Sequence, residues 1–273
     1  TALLGSPVAH SISPLMHNES FRLLGLDYVY LCFDVNEETL PAAVAGLKTC
    51  GIRGFNLTMP NKNKIVELLD ELSPEAQLIG AVNTVLNDNG KLIGYNTDGY
   101  GFMQSVRDAG HDITGKNITV MGVGGASMAI CAQSALDGAA SVHIFARRTS
   151  RYWNRTQKFA ENLSAKTGCQ VCLFDNDDHT ALRNSIAQSY LLINATSVGM
   201  VPDIDDTIIK DTSLFHPELV VADVVYEPQE TRLLREAKAA GCQTFNGMYM
   251  LLHQGAKAFQ IWTGQEMPVS VIK

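Results

Sequence analysis

Charge is scarce in this sequence, and basic charge is the scarcer kind. Of 273 residues only 18% are charged, and 21 Lys and Arg face 28 Asp and Glu, for a formal net charge of −7. Nucleic-acid affinity rests on cations that displace phosphate counterions, so no nucleic-acid partner is expected. Long apolar runs are missing too: none approaches the ~20 residues that cross a bilayer, and no membrane partner is expected. The opening Thr-Ala-Leu-Leu-Gly lacks the basic start and apolar stretch of a signal peptide, and without Met it is expected to begin slightly inside the native chain. Repeats, low-complexity tracts and long linkers are absent. The six cysteines (Cys32, Cys50, Cys131, Cys169, Cys172, Cys242) are scattered and mostly in apolar segments, the usage of reduced thiols in a cytoplasmic protein. Cys169 and Cys172 have zinc-like spacing. Gln-Val-Cys-Leu-Phe reads as a strand, however, in which residues three apart point to opposite faces, so no metal is expected.

What is present is 46% hydrophobic residues, enough for full cores, over a length of about two domains at roughly 150 residues each. Strand-like and helix-like segments alternate, which predicts an α/β fold with mostly parallel pairing. Leu3-Leu4 ends a first strand, and Ser13-Pro14 reads as N-cap and first position of a helix closed by Gly25. A strand over 28–35, a helix over 37–50 and a strand over 54–58 follow. Ile65, Val66, Leu68, Leu69 and Leu72 predict an amphipathic helix over 61–72, and Asp88-Asn89-Gly90 a hairpin turn between strands 82–86 and 91–95. A second series begins with a buried strand (117–121), a glycine turn, a small-residue helix (126–136) and a strand (141–145). Strands at 170–174, 190–194, 219–225 and 243–245 and a last helix over 247–262 complete a doubly wound, nucleotide-binding layout.

Gly122-Val123-Gly124-Gly125-Ala126 lies between strand and helix. Glycines there let backbone approach a pyrophosphate, whose charge then meets the helix N-terminus. The sixth position is Ser127 where Gly or Ala is usual. After the next strand an NAD site commonly places an acid for the ribose 2′-hydroxyl. Here stand Arg147, Arg148, Thr149 and Arg151 with no acid among them, and guanidinium forks suit a 2′-phosphate, so NADP is favoured with NAD left open.

In the first half, polar side chains sit where strands end and helices begin. Ser11 and Ser13 flank a helix start suited to a carboxylate. Asn56-Leu-Thr58-Met-Pro-Asn-Lys62 places a lysine in an expected first helical turn, against the macrodipole. Asn83-Thr84 and Asn96-Thr-Asp98-Gly99 add amides and a carboxylate, though Asp98 reads equally well as an N-cap.

Taken together, His10-Ser-x-Ser-Pro14, Asn56-x-Thr-x-Pro-x-Lys62, Asn83-Thr84, Asn96-Thr-Asp-Gly99, the Gly-Val-Gly-Gly-Ala turn, Asn194-Ala-Thr-Ser-x-Gly199 and Gly247-x-x-Met-Leu-x-x-Gln254 resemble, in order and over essentially the whole chain, the shikimate dehydrogenases, including their quinate/shikimate branch. The resemblance implies an N-terminal substrate domain (1–97 with 247–273), a Rossmann NADP domain (98–246), a last helix returning to the first domain and a cleft between the domains. It implies reversible reduction of 3-dehydroshikimate to shikimate by NADPH, without metal, in chorismate and aromatic amino-acid biosynthesis, by a monomer or homodimer. By motif, Lys62 and Asp98 form the acid–base pair. Ser11 and Ser13 match the carboxylate contacts, with Tyr30 nearby, and Thr58, Asn83 and Gln254 match ring-hydroxyl contacts. Asn194, Thr196, Tyr226 and Gly247 match positions near the nicotinamide, while His253 is expected to be a packing or surface residue rather than an acid–base group. A quinate/shikimate dehydrogenase using either nicotinamide, and a catalytically silent nucleotide sensor, are the alternatives.

Overall fold

The computed structural model describes residues 1–272, which divide into two compact units, Thr1–Gly101 with the segment from Leu252 on, and Phe102–Leu251. Both breaks fall inside helices rather than in linkers.

The first unit runs β1 (Ala2–Gly5), α1 (Ser13–Leu23), β2 (Leu31–Asp34), α2 (Leu40–Thr49), β3 (Gly54–Leu57), a 3-10 stretch (Lys64–Leu68), β4 (Glu71–Leu72), α3 (Pro74–Ile79), β5 (Thr84–Asp88), β6 (Lys91–Tyr95) and the start of α4 (Asp98–Asp108). Its sheet has the order β2-β1-β3-β5-β6-β4. Pairing is mostly parallel, as expected, with β3–β5 and β5–β6 antiparallel, the second because the tight turn at Asn89 (φ 53°) and Gly90 (φ 91°) folds β6 straight back on β5. Leu4, Leu40, Phe55, Ile65, Val82 and Val85 form the core on one side. On the other, Phe21, Tyr30, Phe259 and Trp262 pack together, with the Trp262 indole N–H donating to the Val85 carbonyl at 2.9 Å.

Three local readings are corrected. Residues 61–72 are not one helix. After the 3-10 turn the chain extends at Leu69, Asp70 exchanges hydrogen bonds with Leu92, and β4 pairs with β6. The apolar residues do line the core, so the spacing reported burial but not conformation. Lys62 therefore precedes the 3-10 turn and meets no helix dipole. Ser13 is the first residue of α1 and not its cap. Ile12 holds the N-cap position, and the Ser11 hydroxyl accepts from the Ser13 N–H at 3.3 Å. The strand expected from Tyr28 and the helix expected from Glu37 begin later, at Leu31 and Leu40, the latter because the Asn36 side chain accepts from the Glu38 and Thr39 N–H groups and holds a turn there.

The second unit adds β7 (Asn117–Met121), α5 (Gly125–Leu136), β8 (Ser141–Ala146), α6 (Trp153–Thr167), β9 (Gln170–Asp175), α7 (His179–Gln188), β10 (Leu191–Asn194), β11 (Val220–Asp223), α8 (Arg232–Ala239), β12 (Gln243–Phe245) and the start of α9 (Met248–Thr263). The helix α10 (Val269–Ile272) follows in the first unit. Every pairing in the second sheet is parallel, in the order β9-β8-β7-β10-β11-β12, so the strand order reverses between β7 and β10. In such sheets ligands bind at the carboxyl ends of the strands beside that reversal. Cys169 precedes β9 rather than lying in it, and all six cysteines are free thiols. Among the described residues no helix is long and apolar enough to cross a membrane, and no group of three or more His, Cys, Asp or Glu could hold a metal ion.

Candidate active site

In the first unit, β3, β5 and α4 bring three motifs to one point. β3 delivers Asn56 and then Thr58 and Lys62, the start of β5 delivers Asn83 and Thr84, and the loop after β6 delivers Asn96, Thr97 and Asp98. The Lys62 ammonium donates to Asp98 Oδ2 at 2.6 Å, with side chains 28% and 10% exposed. This is a partly desolvated pair in which the amine still faces solvent, whereas exposed ion pairs of the molecule lie on open surface. Asp98 does not cap α4. Both its carboxylate oxygens are taken by side chains, Oδ2 by Lys62 and Oδ1 by Asn83 Nδ2 at 2.8 Å, while its own N–H donates to Asn96 Oδ1 at 3.2 Å.

Asn83 is buried and is the hub of the cluster. Its Oδ1 accepts from the Thr97 N–H at 2.8 Å, and its Nδ2 lies 3.4 Å from Gln254 Oε1 on α9. A backbone N–H can only donate, so that bond fixes which end of the amide faces Asp98. Thr58, Ser11, Ser13 and Gln254 are half-buried, with polar groups in the same unit as Lys62. Tyr30 is fully buried and its hydroxyl donates to Asn56 Oδ1 at 2.7 Å. Desolvation pushes that phenol well above its ordinary range, so it acts as a neutral donor. His253 is buried in α9, in keeping with a packing role.

In the second unit the glycine turn follows β7 and the Asn194–Gly199 loop follows β10, the strands flanking the reversal. Gly122 has φ +112°, and a Cβ there would meet Thr196 Cγ2 at 2.8 Å and the Ala195 carbonyl at 2.9 Å. Protein packing alone explains Gly122. Nothing lies within 4 Å of a Cβ added to Gly124 or Gly125, so packing does not explain those two. Bare backbone at the first turn of α5, open in front, fits a pyrophosphate. Ser127, the departure from Gly or Ala, donates its hydroxyl to the Gly122 carbonyl at 2.6 Å and closes the turn itself.

Beyond β8, Arg147, Arg148, Thr149 and Arg151 are exposed. The Arg148 guanidinium stacks 4.6 Å from the centre of the Trp153 ring and Arg151 4.7 Å from that of Tyr152. Among the described residues none of these three arginines is paired with a carboxylate, so their charge stays available to an anion. Asn194 and Thr196 are spent on each other and on the loop. Asn194 Oδ1 accepts from the Thr196 N–H and hydroxyl at 3.1 and 2.7 Å, and its Nδ2 donates to the Val198 carbonyl and to Asp223. Asp223, which sequence reasoning missed, is fully buried, and desolvation raises its pKa. A Cβ at Gly247 would fall 2.0 Å from the Val224 carbonyl, a close backbone approach that only glycine allows. Tyr226 is exposed. Asn56, Thr84 and Thr97 were visible in the sequence only as motif letters, since nothing in spacing showed that their side chains meet.

The chain matches the family model for the shikimate dehydrogenase substrate binding domain over residues 3–85 and that for the shikimate 5′-dehydrogenase C-terminal domain over 247–273. A protein of Listeria innocua named shikimate dehydrogenase (NADP(+)) is 52% identical over 271 residues, 99% of this chain and 93% of its own. One of the same name from Streptococcus pyogenes is 49% identical over 100% of this chain and 94% of its own. A solved structure of shikimate 5-dehydrogenase from Listeria monocytogenes in complex with shikimate and NAD is similar with a TM-score of 0.97 at 50% identity, covering 99% of this chain and 93% of its own. With such likeness over nearly its whole length, the chain belongs to the shikimate dehydrogenase family.

Proposed function

We propose that the protein catalyses the reversible reduction of 3-dehydroshikimate to shikimate with NADPH, as the names of its relatives at 49–52% identity suggest. The observation that carries the chemistry is the Lys62–Asp98 pair at 2.6 Å with the Asn83 amide on the carboxylate's other oxygen. The substrate is assigned to Thr1–Gly101 with the segment from Leu252 on, and the nicotinamide cofactor to Phe102–Leu251.

When bound, the cofactor supplies the hydride. As the ketone carbon gains it, negative charge grows on the ketone oxygen, and the Lys62 ammonium hydrogen-bonds that oxygen and gives it a proton, leaving a neutral amine and the alcohol. In the oxidative direction the same amine takes the hydroxyl proton. Asp98 holds the Lys62 nitrogen and can accept from a neighbouring ring hydroxyl, a bond a ketone in that place could not supply. Ser11 and Ser13 are assigned to the carboxylate, and Thr58, Asn83 and Gln254 to ring hydroxyls. The hydroxyl proton of Tyr30 is already committed to Asn56, so its contribution is support rather than donation to the substrate. Gly124, Gly125 and Ala126 would hold the pyrophosphate, and Arg147, Arg148, Thr149 and Arg151 the 2′-phosphate. Asn194 and Thr196 would shape the loop beside Gly122 near the nicotinamide, with Tyr226 and Gly247. With this goes a place in chorismate biosynthesis in the cytoplasm.

Lys62→Ala should lower kcat by about 10²–10⁴-fold, the usual worth of a positioned acid–base group, while thermal unfolding and NADP binding stay as in wild type. Normal turnover by that variant would remove Lys62 from the mechanism.

A further inference from the structure

Beneath the Lys62–Asp98 pair lies a continuous series of buried hydrogen bonds, and the donor directions along its path from Tyr30 to Asp98 can be assigned. Tyr30 donates its hydroxyl proton to Asn56 Oδ1 at 2.7 Å. Asn56 Nδ2 donates to the Asn83 carbonyl at 3.0 Å, an acceptor that cannot be reversed, so the Asn56 amide has one orientation. The same Nδ2 donates to Thr84 Oγ1 at 2.9 Å. With that lone pair filled, the Thr84 proton is free to point at Asn83 Oδ1, 3.0 Å away. Asn83 Oδ1 thus faces the Thr84 hydroxyl, the Thr97 N–H and, at 3.2 Å, the Thr97 hydroxyl, and Asn83 Nδ2 is turned onto Asp98 Oδ1 and Thr97 Oγ1. Tyr30, Asn56, Asn83, Thr84 and Thr97 are all buried, so water does not compete for these groups.

We infer that Thr84 is a positioning residue for the acid–base pair: with Asn56 behind it, its hydroxyl joins the Thr97 N–H in holding the Asn83 amide in place, so that the amide's N–H side stays on Asp98 and, through Asp98, steadies the Lys62 nitrogen. Thr84 touches neither Lys62 nor any group assigned to the substrate except through Asn83. Its direct bond to the site is to that amide at 3.0 Å, the Thr97 hydroxyl at 3.4 Å being the longer contact. The inference rests on the proposed Lys62–Asp98 chemistry and adds a residue to it.

The test is a set of full-length variants assayed for shikimate oxidation with NADP. Thr84→Val, which keeps the shape and removes the hydroxyl, should lower kcat about tenfold, the order expected when one bond to a buried hub is lost and the hub is held less firmly against Asp98. KM for NADP should stay within twofold. Thr84→Ser, which keeps the hydroxyl, should restore kcat to within about twofold of wild type, and it also serves if the valine does not accumulate as folded protein. Asn83→Ala removes the amide through which Thr84 acts, so adding Thr84→Val to it should cost nothing further. Equal losses for the serine and valine variants, an unchanged kcat for valine, or losses that multiply in the double variant would each overturn the positioning role. If wild type fails to turn over shikimate while oxidising another ring acid, the proposed substrate fails and the same series on that acid still decides Thr84.

Discussion

At the scale of single residues the first unit concentrates buried polarity on one side of its sheet, and not all of it serves Asp98. His17, in α1, lies fully buried against Tyr30, with ring centres 4.4 Å apart and nearly parallel, and beside Trp262 and Phe259. Its Nδ1 has no hydrogen-bond partner. Burial among aromatic rings disfavours the imidazolium and pushes its pKa down from 6.5 to about 3. The folded value lies below the unfolded one, so the folded state prefers the neutral ring. Its contribution is fully present above about pH 6.5 and is lost as pH falls from there toward 3. Urea unfolding followed by Trp262 fluorescence should therefore lose on the order of 1 kcal/mol per pH unit between pH 6.5 and 5. In His17→Phe that slope should flatten, and an unchanged slope would place the acid sensitivity elsewhere. The sequence showed His17 only as one more residue of a helix, because the rings around it come from Tyr30, just before β2, and from α9, far away along the chain.

At the scale of elements, what could be read in advance depended on whether a local signal had one structural solution. Asn89-Gly90 requires positive φ at two successive positions, and the hairpin is where the turn predicted it. The inner strands β10 and β11 read as apolar runs because both their faces are covered, and they too lie within the runs that predicted them. Residues 61–72 failed because a helix face and a 3-10 turn followed by a strand can bury the same residues. The deciding bonds run from Asp70 to Leu92, outside any local window. In the site, the motifs shared with the shikimate dehydrogenases named Lys62, Asp98 and Asn83, while the links through Asn56 and Thr84 depend on strand register between β3 and β5. The glycine turn gives an element-scale prediction. Gly122→Ala forces a Cβ against Ala195 and Thr196 at a φ of +112°, and should cost about 1–3 kcal/mol in unfolding experiments. Gly125→Ala meets open space at the start of α5 and should leave the melting temperature unchanged while raising KM for NADP several-fold. Equal loss of stability in the two variants would contradict the division between packing glycine and cofactor glycine.

At the scale of the whole chain, each unit has its own buried core and its own chemistry. The first unit carries the acid–base cluster on a mixed sheet, and the second carries open glycines and unpaired arginines at the strand ends of a parallel one. Neither set accounts for a dehydrogenase by itself. On the proposed reading the first supplies the proton and the second holds the dinucleotide that brings the hydride. The account therefore stands on substrate and cofactor choice measured together. Steady-state kcat/KM for shikimate and for quinate, each with NADP and with NAD, tests both in one experiment. Shikimate with NADP should exceed the other three combinations, by about tenfold or more over NAD if the arginines bind the 2′-phosphate. Turnover of quinate with NAD that equals or surpasses it would contradict the proposed substrate and cofactor alike.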